Sequence, residues 1–161
     1  MKKDKGFSLV ELIIVVAIMA VVAGGVAIGL GVIFDKPADG CAKKMQAVLQ
    51  NARTTSLGRF DDVIEIGVES GTGKVYIKET VTDKDGTSTV RPIQYIGDSK
   101  VSISCKTGAG AAMTLPITIK FDRSNGGLIG GKNACGEIKI EAKNKTRYLK
   151  LNYITGKITY E

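Results

Sequence analysis

The spacing of apolar residues along the chain changes character twice. From Leu12 to Phe34 there are 23 residues without a charge, more than the roughly 20 that carry a helix across a bilayer. The segment from Phe7 to about Gly58 reads as helix, interrupted around Asp35-Lys36-Pro37-Ala38-Asp39-Gly40. Beyond that break Cys41, Met45, Val48, Leu49, Ala52 and Ser56 recur at three- and four-residue steps, with Lys43, Lys44, Gln46, Gln50 and Arg53 largely off the stripe. This is the pattern of a helix that lays one apolar face against a sheet. Gly58 supplies its stop.

From Asp61 the period becomes two. Ile64-x-Ile66-x-Val68, Val75-x-Ile77, Val101-x-Ile103-x-Cys105 and Leu115-x-Ile117-x-Ile119-x-Phe121 each put their apolar residues on one face. So do Ile138-x-Ile140, Leu149-x-Leu151-x-Tyr153 and Ile158-x-Tyr160. Turn signals separate them: Gly71-Thr72-Gly73, Asp85-Gly86, Gly97-Asp98, Asn125-Gly126-Gly127, Lys143-Asn144 and Thr155-Gly156. Lys84-Asp85-Gly86-Thr87 reads as a hairpin tip, and Thr107–Ala112 as a loop. Seven or eight short strands at this spacing predict an antiparallel sheet system. The expectation is an α+β chain: one long N-terminal helix, its first half transmembrane, and a β-rich head (59–161) packed on the second half (35–58).

Composition narrows the chemistry. The chain has 161 residues, 20 of them glycine, and neither His nor Trp. Without His, the commonest general base and metal ligand are both missing. Gly126-Gly127-Leu128-Ile129-Gly130-Gly131 lacks the lysine and following Ser/Thr of a phosphate-binding loop. Asp61-Asp62 reads as a pair of capping or turn residues. No catalytic residue, metal site or cofactor is expected. The net charge of +7 fits a solvated surface facing something acidic and specifies no partner.

The basic head Lys2-Lys3-Lys5 predicts a cytoplasmic N-terminus and an extracytoplasmic head. The apolar run is longer than the 7–15 residues of an ordinary secretory signal, and no A-x-A-like site follows it. Cys41, Cys105 and Cys135 then fall in an oxidising compartment, and their spacings match no zinc pattern. Two countings stand: one disulfide with one leftover thiol, or three reduced, buried cysteines. Under the first, Cys105–Cys135 is the favoured pair, because both lie on expected strands while Cys41 lies on a helix.

One residue conflicts with the membrane run. Glu11 sits between Leu9-Val10 and Leu12-Ile13-Ile14, where a carboxylate costs on the order of 2–3 kcal/mol by insertion scales. The stretch Lys5-Gly6-Phe7-Ser8-Leu9-Val10-Glu11-Leu12 resembles the type III signal of type IV pilins and pseudopilins. The resemblance implies a pilin fold, a leader peptide (1–6) and a filament-core helix (7–34). It further implies that a prepilin peptidase cuts between Gly6 and Phe7 on the cytoplasmic face and N-methylates Phe7. In a filament of packed helices, it implies that Glu11 pairs with the N-terminal amine of a neighbouring subunit.

The residues suit that chemistry. Gly6 has no side chain to obstruct a protease at the membrane boundary. Cutting there leaves a formal charge of +5 (+7 less the leader's +2). It also creates an α-amino group with a reference pKa near 8, mostly cationic at neutral pH. Glu11 lies four residues on, along the same helical face, and a paired carboxylate in lipid costs far less than an isolated one. A plain membrane anchor with Glu11 snorkelling to the cytoplasmic interface would explain the helix but not the order of residues at Gly6-Phe7.

The head carries a looser resemblance. Leu49-Gln50-Asn51-Ala52-Arg53-Thr54-Thr55-Ser56, the stretch Pro116–Gly126 and the closing Tyr153-Ile154-Thr155-Gly156-Lys157-Ile158 are similar to H-type minor pseudopilins and T-type fimbrial minor pilins. This implies a minor subunit of a type IV pilus or type II secretion-like filament. Its partners would be the prepilin peptidase, other subunits through the N-terminal helix, and the cell membrane before assembly. The alternative is a DNA-binding minor pilin of an uptake pilus, with Lys143, Lys145, Arg147, Lys150 and Lys157 as phosphate contacts. Gly156-Lys157-Ile158-Thr159 lacks the paired arginines of that group. Many major pilins also carry a mid-helix proline; this run has none before Pro37, but has Gly24, Gly25, Gly29 and Gly31, which also loosen a helix. Gly25 and Gly29 further form a G-x-x-x-G pattern that lets helices approach closely.

Overall fold

The computed structural model describes Val10 and residues 13–16, 37–58 and 60–161. Val10 and residues 13–16 are helical and exposed. The expected leader, the cleavage and methylation positions Gly6 and Phe7, the assembly residue Glu11 and the rest of the 7–34 run lie outside the described residues. Among the described residues, no helix is long and apolar enough to cross a membrane. Pro37–Glu161, the helix and the head together, form one compact unit.

Helix α1 spans Pro37–Leu57, so the expected interruption does not reach past Lys36. Proline fixes a helical φ and lacks an N–H that the first turn does not need, so it opens a helix well. Asp39, in that first turn, faces the positive end of the helix dipole. Ala38, Cys41, Ala42, Met45, Leu49, Ala52 and Ser56 are buried; Val48 is only partly buried. The helix stops where expected, with the Gly58 N–H donating to the carbonyls of Thr54 and Thr55 at 3.1 and 3.0 Å.

Ten strands follow: β1 Asp61–Val68, β2 Val75–Thr82, β3 Ser88–Val90, β4 Gln94–Gly97, β5 Val101–Thr107, β6 Ala112–Met113, β7 Ile117–Lys120, β8 Cys135–Ala142, β9 Lys145–Leu151 and β10 Ile158–Tyr160. They form two sheets. One runs β3-β2-β1-β7, with β4 also paired to β2; the other runs β10-β9-β8-β5-β6. Each of these pairings is antiparallel. The head is therefore α+β, and α1 packs on strands of both sheets. Ile64, Ile66, Ile77, Ile117, Ile119, Ile138, Ile140 and Leu149 meet the buried stripe of α1 in one core.

Each two-residue period gave a strand over at least part of its length, and β9 stops at Leu151, short of Tyr153. Gly86 takes φ 80° at the β2–β3 tip, where the Asp83 N–H donates to Thr87 at 2.9 Å, and Lys143 takes φ 52° between β8 and β9. Three expectations are corrected. The Thr107–Ala112 loop ends in β6, whose Ala112 and Met113 pair with Lys106 and Cys105. The 115–121 run gives a strand only from Ile117 to Lys120; Phe121 instead makes an isolated bridge to Leu128. Asp61-Asp62 is neither a cap nor a turn. Both residues lie in β1, opposite Thr82 and Val81, and strand alternation puts Asp62 on the buried face with Ile64 and Ile66. Strands β3 and β4 had no sequence signal: β3 is exposed throughout and β4 buries only Ile96, so neither carries an alternation.

Candidate functional site

Of the residues expected to carry function, the structure describes the cysteines and the C-terminal basic group. Lys143 and Lys145 flank the β8–β9 turn, and Lys157 stands in the β9–β10 turn. Those turns cap opposite ends of β9, a seven-residue strand about 20 Å long. Between them, Lys150 Nζ bonds the Glu161 carboxylate at 2.6 Å. Arg147 is half-buried and bound to Asp39. The five residues are thus distributed along β9 and its flanks and do not form one cationic patch.

Arg147 does something sequence reading missed. Asp39, on the first turn of α1, accepts hydrogen bonds from Arg147 Nε on β9 and from the Tyr160 hydroxyl on β10, the latter at 2.6 Å. The Arg147 guanidinium also lies 6.0 Å from the Tyr160 ring centroid. Hydrogen bonds from Tyr160 and then Arg147 hold the Asp39 carboxyl below its usual range. The clamp fastens the start of the helix to the second sheet. Asp39 and Arg147 are 108 positions apart, so no local pattern could have paired them.

The outer face of the second sheet carries a charged ladder. Lys106, Glu137 and Lys150 stand side by side across β5, β8 and β9. They are shared by two adjoining grooves, of about 470 and about 330 Å³. The first runs over Gly108 and Gly136 toward Tyr153; the second runs over Lys139 and Tyr148 toward Glu161. Lys139 pairs with Glu141 at 2.7 Å. Lysines and glutamates alternate here, so the face presents no excess of positive charge.

Cys41, Cys105 and Cys135 are buried free thiols. Cys105 and Cys135 are brought together beside the bulge where the β5–β8 register shifts at Lys106/Thr107. Their thiols interact directly, and that contact, followed by burial, pushes the Cys135 thiol well up. Cys41 stands apart on α1, pushed up to about 11 by burial. The described residues hold no group of three or more Cys, Asp or Glu suited to a metal ion.

Against known families, residues 1–27 match the model described as the prokaryotic N-terminal methylation motif. This is the type IV pilin and pseudopilin signature, and the chain carries it. The motif implies processing by a prepilin peptidase and assembly with other pilin subunits, from a membrane-anchored state into an extracellular filament. Neither a curated protein nor a solved structure matches the chain.

Proposed function

We propose that the protein is a processed, N-methylated minor subunit of a type IV pilus or type II secretion-like filament. Residues 1–6 are the leader, 7–34 the membrane and filament-core helix, 35–58 its continuation and 59–161 the head. Before assembly the chain crosses the cell membrane once, with its N-terminus in the cytoplasm and its head outside. The observation that carries this reading is the methylation motif over residues 1–27, with Gly6-Phe7 at a cleavable junction and Glu11 four residues beyond it. Glu11 is half of an ion pair whose other half does not exist until the leader is removed. A subunit in register neutralises the buried charge, and a slipped one leaves it bare in hydrocarbon.

Two substitutions test this. Gly6→Ala should leave the chain uncut, seen as retention of the leader by mass. Glu11→Ala should be cut normally but be strongly depleted from sheared filaments. Normal incorporation of the Glu11→Ala chain would sink the register argument.

The same reading puts the head in an oxidising compartment, where Cys105 and Cys135 link as a disulfide and Cys41 stays reduced. Their juxtaposition across β5 and β8 supports the pairing. Alkylating denatured protein from filaments should label one cysteine before reduction and three after it. Three labels without reductant would rule the bond out.

A further inference from the structure

The first sheet contains a polar cluster that the filament reading leaves unused. Asp62 on β1 and Glu79 on β2 are 2% and 5% exposed, amid an otherwise apolar inner face. Asp62 is opposite Val81 and Glu79 is opposite Ile64, so the two carboxyls are diagonal neighbours, within reach of each other across the pair. Both Asp62 oxygens and Oε1 of Glu79 are buried without a hydrogen-bond partner. A buried carboxylate lacking donors is strongly disfavoured. Among the described residues the cation nearby is Arg91: its Nη1 lies 3.0 Å from Glu79 Oε1, close enough to pair but not aligned for a hydrogen bond.

Arg91 also belongs to the weakest part of the sheet. It sits between β3 and β4, two short strands that share the same edge of β2. Residues 88–95 are exposed throughout, and Pro92 within them has no N–H to give to a ladder. Between the paired segments, the link to β2 is the Arg91 N–H donating to the Glu79 carbonyl at 2.9 Å, beside the Arg91–Glu79 ion pair. Thus the residue that anchors this edge is also a member of the buried acid pair.

We infer that Asp62 and Glu79 share a single proton, and that losing it releases the β3–β4 edge from β2. With the proton present, the Asp62 carboxyl donates to the Glu79 carboxylate, whose remaining charge faces Arg91. Without it, two carboxylates lie side by side with no donor between them. Relief comes most cheaply by exposing Glu79, because β2 is covered there by the exposed run 88–95, whereas β1 is held between β2 and β7. Release bares a row of backbone N–H and C=O groups on β2, the kind of edge an incoming strand can pair with.

The surroundings leave few other charges in play. Among the described residues, Glu79 and Arg91 are the charged groups that bear on Asp62. Of the elements packed on β1, α1 buries Ala38, Cys41, Ala42, Met45, Leu49, Ala52 and Ser56, and β7 buries Ile117 and Ile119; the titratable one, Cys41, lies beside Gly97 of β4. Arg123 is engaged with Asp61. Burial first, and the Glu79 charge second, push Asp62 up to about 7 from 3.8. In the opened or unfolded chain it returns to the ordinary value, so the closed form binds more protons between about pH 4 and pH 7. Closure is therefore favoured at the acid end of that window and weakens as pH rises through it, levelling off above pH 7.

Hydrogen exchange on the full chain in detergent micelles, at pH 5 and pH 8 and corrected for intrinsic rates, tests this. Protection of amides in 88–97 should fall tenfold or more at pH 8, while that of 138–149 in β8 and β9 holds. Asp62→Asn should remove the pH dependence in 88–97. Should that variant lose protection in β8 and β9, and so fail to fold, Glu79→Gln carries the same expectation. Equal protection of 88–97 at both pH values overturns the inference. So does a loss spread over the whole head, or a wild-type pH dependence in a folded variant. None of these outcomes bears on leader cleavage or filament entry.

Discussion

Gly156→Ala is expected to lower the melting temperature of the head by about 10 °C or more, followed by far-UV circular dichroism. Gly156 sits in the β9–β10 turn at φ 65°, where a residue with a Cβ is penalised by about 1–2 kcal/mol. The larger cost is steric. A Cβ there would fall well inside contact distance of the Gly126 carbonyl oxygen and 2.9 Å from its carbon. Neither turn can yield easily. The Gly156 N–H donates to Asn152 at 2.7 Å, and the Gly126 N–H donates to Asp122 at 2.8 Å. Arg53, near the end of α1, donates from Nε to the Thr155 carbonyl at 3.1 Å. Forcing a methyl into such a junction adds about 1–3 kcal/mol, a large part of a typical stability of 5–15 kcal/mol. Gly110→Ala is the control. Its φ is 90°, yet nothing lies within 4 Å of the added carbon, so it should lose only the backbone part. Equal losses for the two would mean that the turns move apart freely.

Leu49→Ala should cost about 2–5 kcal/mol, the range for deleting a buried leucine where the surroundings relax only partly. Leu49 is fully buried on α1, the element that packs on both sheets. The void would open where the three layers meet, and neither sheet can close it without shifting its own ladder. Val48, one position back and only partly buried, should cost clearly less on the same change. Denaturant midpoints with unchanged slopes would measure both. A Val48→Ala loss as large as that of Leu49→Ala would mean that the stripe assigned to the helix is wrong.

The stripe through Cys41, Met45, Leu49, Ala52 and Ser56 was legible because burial on a helix repeats every three to four residues and needs no knowledge of what covers it. The β1, β5 and β8 faces were legible for the matching reason at period two. What could not be read was anything set by distant partners. Ser88–Val90 and Gln94–Gly97 are strands because β2 offers them an edge; of their residues only Ile96 is buried, too little to show a period. Asp62 looked like a cap because acids rarely enter a core; only the β1 register puts it there, beside an acid 17 positions away in sequence. Asp39, Arg147 and Tyr160 come from the two ends of the head. The methylation motif over residues 1–27 was the opposite case: contiguous, and therefore legible in the sequence.

The order in which the sheets are threaded has a consequence for the timing of folding. The chain builds β1 to β4 in the first sheet, lays β5 and β6 in the second, returns with β7 to close the first, then finishes the second with β8, β9 and β10. The β1 edge thus waits for Ile117–Lys120, and the β5 edge waits for Cys135–Ala142. Pairings of such long sequence separation slow folding, because loop closure must precede any gain from contact. Neither sheet can complete as an early module. For a chain that emerges N-terminus first, the head folds as one late cooperative event, and a stalled or truncated chain presents two open edges together.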